Sequence, residues 1–379
     1  MTDLLRQEIA TAAHTIVVKV GTRVLTHSNG ALNEERVAGL AEELHRLLAR
    51  GRKIVLVSSG AVGAGMGQLG LSRRPADLPH LQAVAAVGQS HLVQSYDRAL
   101  RSHGRHAAQV LLTAEDLDDR VRYLNVRNTL RVLLEYGAVP IINENDTVSV
   151  EELQTTFGDN DRLAAMVTNL IRAPLLVLLS DVAGLYDGDP ADPGSKLIDS
   201  VTRLDESVYA LVRDKKSGLS KGGMASKLNA ARIATSAGEN VIIASGREPG
   251  ALEKIVSGEV IGTLCLARGQ ALPSYKRWIG FTVQPRGALV LDEGAARAVE
   301  QQGRSLLAIG IRDVTGEFAK GDIVALHDPQ GVEVARGLTN YTSAELQLIK
   351  GLKTDQIAVA LGHRPYGEVI HRDNMAITR

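Results

Sequence analysis

The sequence predicts an α/β protein in which a mostly parallel sheet is covered by helices on both faces and a smaller β-rich domain follows. Over the first 270 residues, short apolar runs of four to eight residues alternate with longer amphipathic segments. The apolar runs are continuous rather than alternating, which is typical of parallel strands buried on both faces. Near residue 270 the pattern of apolar and polar residues changes, at the polar, proline-containing stretch ARGQALPSYKRW.

The strands and helices of the first part can be placed in order along the chain. The predicted strands are TIVVKVG, KIVLVSS, AAQVLL, AVPIIN, PLLVLLSD and NVIIASG. The helices predicted between them are LNEERVAGLAEELHRLLARG (closed by Gly51), HLQAVAAVGQSHLVQSYDRALRSHG and NVRNTLRVLLEYG. In such sheets ligands bind outside the carboxyl ends of the strands. The segments SSGAVGAG, NEND and SDVAGLYDGDP each follow a strand, so we expect them at one edge.

The second part carries short alternating runs such as GDIVALHD, GVEVARG and YGEVIHRD, broken by glycines every eight to twelve residues. This pattern predicts a small β-barrel or sandwich with short helices. At 379 residues the chain is too long for one ordinary domain. We predict a first domain over 1–270, a linker over 271–285, a second domain over 286–364 and a C-terminal tail over 365–379.

Composition narrows the class of protein. Hydrophobic residues make up 44% of the chain and charged residues 23%, as in a globular protein with a sizeable core. The 43 basic and 43 acidic residues give a net charge of zero, so nothing global draws the chain to nucleic acid or an anionic membrane. Cys265 is the single cysteine, which excludes an intrachain disulfide. We expect a cytoplasmic protein, because neither a signal-peptide pattern nor an apolar run of about 20 residues is present.

Several familiar catalytic motifs are absent. The sequence has no G-x-x-x-x-G-K-[ST] phosphate loop, and GAVGAG lacks the spacing of a dinucleotide-binding motif. A zinc cluster of thiolates is excluded by the single cysteine, and SSG is not a G-x-S-x-G nucleophile elbow.

Basic and glycine-rich loops remain as candidates for binding an anion. Lys19 interrupts an apolar strand, which is costly unless the charge is paired or reaches a site; alternatively it is a strand-end lysine that reaches solvent. Gly21 would let the backbone approach a ligand. SSGAVGAG offers hydroxyls and N–H groups at a helix start, or is a tight turn that needs glycine for packing. In SGLSKGGMASKLNAARIA, Lys221, Gly222–Gly223 and Lys227 offer the donors and charge that phosphates require, unless this loop is only a solvated linker.

Acidic and amide side chains crowd two other segments. The set is Asn143, Glu144, Asn145, Asp146, Asp159, Asn160 and Asp161. Carboxylates can hold a metal, act as acid and base, or position a cation. The amides argue against a pure metal cage, since they also donate hydrogen bonds to a zwitterion. With the lysines, the set points to phosphoryl transfer from a nucleotide to a small amino-acid-like substrate.

Ten segments resemble glutamate 5-kinase in content and order. They are VVKVGTRVLT, VSSGAVGAG, AAVGQSHLVQ, QVLLT, YLNVRNTL, VPIINENDTV, FGDNDRLAA, LLSDVAGLY, KGGMASKLNAA and GTL. The part from KRWIGF through VLDEGAARAV to HRDNMAIT resembles the PUA domain of bacterial members. The resemblance implies a three-layer αβα open-sheet amino-acid kinase fold, without a Walker loop, followed by a small β-rich PUA barrel domain.

The resemblance also implies roles for individual residues. Lys19, Lys227 and Asp161 resemble the catalytic residues: Lys19 contacts the nucleotide phosphates and the transferring group, and Asp161 organises the two lysines. The residues that resemble the glutamate-binding ones are Ser59, Asp146 and Asn160.

The nucleotide side is implied in the same way. Ser180 and Asp181 match a strand end that meets the nucleotide, where the family often has Thr-Asp. The phosphate-and-ribose loop matches Lys221, Gly222, Gly223, Met224, Ala225, Ser226 and Lys227. The family often has threonine where this chain has Lys221.

The implied reaction transfers the γ-phosphoryl group of ATP, with Mg²⁺, to the side-chain carboxylate of L-glutamate. A glutamate side chain has a pKa near 4.3, so the nucleophile is ionised at neutral pH and needs no general base. The resemblance implies the first step of proline biosynthesis, feedback inhibition by proline, functional coupling to glutamate-5-phosphate reductase, and a homo-oligomer. The sequence does not choose between dimer and tetramer, and it identifies no metal ligands.

Two kinds of alternative stay open. Acetylglutamate, aspartate, carbamate and uridylate kinases share the fold, although GQS, NEND, GDND and the PUA-like part favour the glutamate enzyme. An RNA-binding factor is the other, because PUA domains bind RNA in RNA-modifying enzymes. Residues 276–379 hold 13 Lys/Arg and 12 Asp/Glu, which is not the basic balance of an RNA-binding domain. We therefore favour a structural or regulatory second domain over an RNA partner.

Overall fold

In a computed structural model, the chain folds into two compact units, Met1–Ala271 and Leu272–Arg379. The structure describes residues 3–149, 160–212, 223–267, 274–362 and 366–379. The α/β class predicted from the sequence is confirmed in the first unit, and the second unit is built on a separate sheet.

The described residues of the first unit form an eight-stranded sheet in the order β3-β4-β2-β1-β5-β7-β8-β6. Its strands are β1 (Thr15–Val20), β2 (Lys53–Ser58), β3 (Ala107–Leu112), β4 (Val139–Glu144), β5 (Leu175–Ser180), β6 (Ser200–Val201), β7 (Asn240–Ser245) and β8 (Thr263–Cys265). The pairs from β3 through β1 to β7 are parallel, and β8 runs antiparallel to β7. Every residue of β5 is buried. Since neighbouring side chains point to opposite faces, both faces of the sheet are covered.

Helices provide that cover. In chain order they are α1 (Leu4–Ala12), α2 (Thr22–Leu25), α3 (Glu34–Ala49), α4 (Ala61–Gln68), α5 (Leu78–Arg101), α6 (Ala114–Asp118), α7 (Arg120–Glu135), α8 (Asn160–Ile171), α9 (Glu206–Ala210), α10 (Met224–Ala237) and α11 (Ala251–Val256). Nowhere in the described ranges does a helix combine the length and apolarity needed to cross a membrane.

Helix α3 shows how local sequence sets an element. The Asn33 side chain accepts a hydrogen bond from the Arg36 backbone N–H and caps the start, which is worth about 1 kcal/mol in typical helices. Val37, Leu40 and Leu44, spaced three and four residues apart, are buried on one face. Gly51, with a φ of 78°, takes the chain out of the helix.

Glycines in the SSGAVGAG segment allow close packing of α4 against α5. A Cβ on Gly65 would lie 1.9 Å from the Val84 carbonyl oxygen, and one on Gly88 would lie 1.8 Å from that of Ala61. The φ of Gly60 is 113°, at the turn from β2 into α4. The structure thus gives these glycines the packing and turn role that the sequence analysis had left open beside ligand binding.

The described part of the second unit contains a five-stranded sheet in the order β10-β9-β11-β12-β13. Its strands are β9 (Gly287–Leu291), β10 (Ile311–Gly316), β11 (Ile323–His327), β12 (Glu333–Leu338) and β13 (Met375–Ile377). Its helical segments are α12 (Ser274–Arg277), a π-helical turn (Trp278–Thr282), α13 (Glu293–Gln302), α14 (Ser343–Ile349), α15 (Ile357–Leu361) and 3₁₀ turns at Ala308–Gly310 and Arg372–Asn374.

Parts of this unit differ from the sequence-based description. YGEVIHRD contributes one bridge, from Ile370 to Leu306, rather than a strand. Val369 and Ile370 are consecutive and both fully buried, so the run is not a half-exposed strand. The range 271–285, predicted as a linker, includes the buried π-helical turn, and 365–379, predicted as a tail, includes β13.

Candidate active site

The candidate site lies at the carboxyl edge of the first sheet, around the end of β1. This strand pairs with β2 on one side and β5 on the other, so the connections diverge there. A divergence of this kind opens a crevice beyond the strand ends, which is the usual ligand position in open α/β sheets. The predicted site residues Lys19, Ser59, Asp146 and Ser180 all lie at the ends of β1, β2, β4 and β5.

Two lysines converge on one carboxylate. The Lys19 Nζ lies 2.5 Å from Asp161 Oδ1, and the Lys227 Nζ lies 3.1 Å from Asp161 Oδ2. Strand β1 supplies Lys19, whereas Asp161 and Lys227 lie in the first turns of α8 and α10. All three side chains are buried, and Asp161 is fully so. Lys19 is therefore not the solvent-reaching lysine that the sequence left open.

The charge state of this cluster follows from two opposing effects. Burial by itself would raise the pKa of Asp161, but the charges of Lys19 and Lys227 and their hydrogen bonds outweigh it and lower that pKa. With its pKa lowered, Asp161 is ionised at neutral pH and holds two cations near one point.

A chain of amide hydrogen bonds adjoins the lysine cluster. Asn160, the residue before Asp161, donates through Nδ2 to Ser59 Oγ (2.8 Å) and to Asn143 Oδ1 (2.9 Å). Asn143 Nδ2 in turn donates to Gln89 Oε1 at 2.9 Å. All four side chains are buried, so the bonds fix which way each amide faces. We call these four residues the amide chain.

One end of the amide chain retains an unused donor. Within the described residues, the buried Nε2 of Gln89 has no hydrogen-bond partner. Leaving a buried polar group unpaired typically costs about 1–3 kcal/mol, so such a group suits a ligand that supplies the missing acceptor.

Asp146 provides the opposite feature, an unused acceptor. Its Oδ1 is buried and lacks a hydrogen-bond partner in the part of the chain that the structure describes. Burial, and then the neighbouring charge of Glu144, raise the pKa of Asp146 to about 7, while Arg74 acts in the other direction. Glu144 accepts a short hydrogen bond from Ser149, and Asn145 accepts one from Thr147, so both shape the turn. A cation placed against Asp146 would pair the buried charge.

The predicted nucleotide side starts at the end of β5. Ser180 Oγ donates to Asp181 Oδ1 at 3.2 Å, and Arg23 pairs with Asp181 Oδ2 at 3.0 Å. Burial would raise the pKa of Asp181, but the hydrogen bond and charge of Arg23 lower it. Across the edge, Gly223 precedes α10 in extended conformation, and Met224, Ala225 and Ser226 form the first turn before Lys227. Lys221 and Gly222, like Asp159, lie outside the described residues.

Comparison with known proteins covers both units. Residues 14–245 match the model of the amino acid kinase family, and residues 287–361 match that of the PUA domain. A glutamate 5-kinase of Rhodopirellula baltica is 51% identical over 373 residues, covering 98% of this chain and 96% of its own length. Another from Gloeobacter violaceus is 51% identical over 365 residues, covering 95% and 98%.

The chain belongs to the glutamate 5-kinase family. It is thus a kinase of the amino acid kinase family with a PUA domain, as the resemblance implied. A UMP kinase of Bacillus anthracis also aligns, with a TM-score of 0.48 and 15% identity over 68% of this chain and 97% of its own.

In this member of the family, the described acids do not form a metal cage. Over the described ranges, no group of three or more His, Cys, Asp or Glu side chains is arranged to hold a metal ion. Both oxygens of Asp161 contact lysines, and both oxygens of Asp181 have partners. An Mg²⁺ ion that arrives with ATP would need few ligands from these acids.

Sequence reasoning missed three residues at this edge. Asn143 was noted in the acidic segment but not assigned to the site, although it links Asn160 to Gln89. Gln89 stands in VGQS, part of a segment that resembles the family, but the resemblance gave this residue no role of its own. Arg23, in KVGTRVL, could have been suspected as a partner for Asp181, but nothing in the sequence specifies that contact.

Proposed function

We propose that this protein phosphorylates the side-chain carboxylate of L-glutamate with ATP, releasing ADP and an acyl phosphate, L-glutamyl 5-phosphate. The observation that carries the proposal is the buried Lys19–Asp161–Lys227 cluster joined through Asn160 to the amide chain. Names of relatives at 51% identity over nearly the whole chain support the same substrate.

In the proposed reaction, a side-chain oxygen of glutamate attacks the γ-phosphorus in line. The bond between that phosphorus and the bridging oxygen breaks, and its electron pair leaves with ADP. Since the carboxylate is ionised at neutral pH, no proton needs to move. The remaining difficulty is that an anion must approach a polyanion, so catalysis depends on positioning and charge.

Lys19 and Lys227 would supply that charge. Their ammonium groups are fixed by Asp161 before substrate arrives, so little reorganisation is needed as negative charge spreads over the transferring group. The backbone N–H groups at the start of α10 would bind the phosphates. Mg²⁺ bound to ATP would neutralise phosphate charge and favour the departure of ADP.

The other half of the site would hold glutamate. Ser59, Asn160 and Asn143 present hydroxyl and amide groups near the lysine cluster, where the reacting carboxylate must lie. Asp146 would pair with the α-ammonium group, which supplies the positive partner that its buried Oδ1 lacks. Pairing would also return the pKa of Asp146 toward its ordinary value and keep it ionised.

The pathway, the regulation and the partners that we propose all rest on this reaction. We propose that the product enters proline biosynthesis, with proline as a feedback inhibitor, a homo-oligomeric assembly, and coupling to glutamate-5-phosphate reductase. The PUA domain would be structural or regulatory. The cytoplasmic location and the roles given to Lys221 and Gly222 stay predictions.

The test is ATP turnover with hydroxylamine, which traps acyl phosphates as hydroxamates. Purified full-length protein is incubated with ATP and Mg²⁺ plus L-glutamate, N-acetylglutamate, aspartate or no acceptor. We expect a hydroxamate with glutamate alone. Product only with another acceptor would keep a phosphoryl-transfer site and overturn the assignment of the amide chain and Asp146 to glutamate.

A further inference from the structure

We propose that Gln89 recognises the α-carboxylate of the acceptor amino acid, and that it does so through the Nε2 donor left over by the amide chain. This inference rests on the proposed function and adds a specificity-determining residue to it. Gln89 is 7% exposed, and its Oε1 is fixed by the hydrogen bond from Asn143 Nδ2. The fixed oxygen determines that the other end of the carboxamide is the donor.

The position of Gln89 follows from helix packing. Helices α4 and α5 touch at Gly65 and Gly88, where a Cβ on Gly88 would lie 2.2 Å from the Gly65 backbone nitrogen. Gln89 is the next residue on α5, so the close contact brings its side chain to the end of β4. A longer distance between the helices would move the carboxamide away from Asn143.

The order of the amide chain indicates which carboxylate Gln89 serves. Asn160 precedes Asp161 and therefore marks the end near the lysines, where the reacting carboxylate must meet ATP. Gln89 is two hydrogen bonds further along, on Asn143, which lies three residues before Asp146. If Asp146 holds the α-ammonium group, the carboxylate on the same carbon lies at this end.

Charge supports the same arrangement. An α-carboxylate is an acceptor only, and it needs buried donors to replace its water. Gln89 Nε2 is such a donor, whereas the carboxylates of Glu144, at the end of β4, and of Asp146, two residues further on, would repel the α-carboxylate. Without Gln89 this end of the site would favour the amine and reject the acid attached to it.

The decisive variant is Gln89→Glu, because it keeps an acceptor oxygen for Asn143 and replaces the Nε2 donor by a second oxygen. Gln89→Leu removes both groups. The matched controls are Gln94→Glu and Gln94→Leu, since Gln94 is exposed on the same helix and its amide contacts Ser90. Glutamate KM, ATP KM and kcat are measured on full-length protein, with a thermal melt for each variant.

We expect both Gln89 variants to raise the glutamate KM by about 10- to 100-fold, the range for a hydrogen bond to a charged group, with Gln89→Glu the more severe. The ATP KM should stay within about twofold. A Gln89→Glu enzyme with an unchanged glutamate KM would overturn the proposal. So would a joint rise of both KM values, or failure of this variant to fold, because each would assign Gln89 a structural role.

A second measurement identifies the substrate group. 4-Aminobutyrate is glutamate without its α-carboxylate, and it is tested as a competitive inhibitor, which needs no turnover. Its inhibition constant should be the same for wild type and Gln89→Leu within about twofold, while glutamate binding differs. Equal losses for both ligands would overturn the α-carboxylate assignment. A wild-type enzyme that makes no glutamyl hydroxamate would instead overturn the proposed function itself.

Discussion

Asp161 and Asp146 are buried acids at the same edge of one sheet, yet their surroundings are opposite. Asp161 has a lysine on each oxygen, and these charges lower its pKa despite complete burial. Asp146 has an oxygen without a hydrogen-bond partner among the described residues, and burial raises its pKa to about 7. The Asp161 carboxylate is therefore paired by the protein's own side chains. We expect the Asp146 carboxylate to be paired by a ligand.

The difference shows that one fold can use a buried acid either to hold its own side chains in place or to bind a ligand. A buried charge that is already paired can hold other groups in place at every stage of a reaction. A buried negative charge that lacks a partner destabilises the protein without ligand, and pairing that charge strengthens the binding of a cationic ligand. Equivalent substitutions at the two positions should therefore give opposite results.

The largest effect is expected at Asp161. Asp161→Asn removes the carboxylate that contacts the buried ammonium groups of Lys19 and Lys227, and breaking a buried ion pair costs about 3–5 kcal/mol. At about 2–4 °C per kcal/mol for a unit of this size, the unfolding midpoint should fall by roughly 6–20 °C. Calorimetry of the full chain measures this. Asp355→Asn, an exposed acid in the second unit, is the control; equal midpoints for the two variants would remove the central role given to Asp161.

The second largest effect is expected on kcat when Lys227 is removed. Lys227→Ala leaves Asp161 paired with Lys19 but removes one donor from the transferring phosphoryl group, so kcat should fall about 10²- to 10³-fold. The hydroxamate assay at saturating glutamate measures kcat. Lys53→Ala, at the exposed start of β2, should be near wild type. A Lys227→Ala enzyme within tenfold of wild type would exclude this lysine from the reaction.

Asp146→Asn sharpens the contrast with Asp161→Asn. Removing the charge that pairs with the α-ammonium group should raise the glutamate KM by about 10- to 100-fold and leave the ATP KM unchanged. The unfolding midpoint should not fall, because the substitution removes an uncompensated buried charge rather than a paired one. A lower midpoint, or an effect confined to ATP, would contradict the role given to Asp146.

The smallest effect is on pH dependence. With a pKa of about 7, Asp146 is mostly protonated at pH 6 and mostly ionised at pH 8, so the glutamate KM should fall about tenfold between them. The same raised pKa means that the folded state without ligand binds this proton more tightly than the unfolded state does. The contribution of Asp146 to stability therefore declines as pH rises through the window up to about 7. Asp146→Asn should remove both dependences, and a KM profile that this variant leaves unchanged would contradict the assignment.

Much of the architecture was readable from the sequence. Continuous apolar runs predicted the strands of the first sheet from β1 to β5 and β7, because buried parallel strands need apolar residues on both faces. The short β6 and β8 were missed, since two or three residues carry too little pattern. Helix α7 begins at Arg120, ahead of the predicted start, where the Asp119 side chain caps it by accepting from the Arg122 N–H.

The local sequence was enough to place Lys19 and Ser180 near the ends of strands and Ser59 and Asp146 just after strands, and hence all four at one edge. Which of these residues pair with each other depends on how distant parts of the chain pack together. The contacts of Asp161 with Lys19 and Lys227 span distant parts of the chain, and so does the contact of Gln89 with Asn143. Such contacts depend on how helices pack on the sheet, down to the missing Cβ atoms of Gly65 and Gly88. A local pattern records that a residue is polar, but not whether folding will give it a partner or leave it for a ligand.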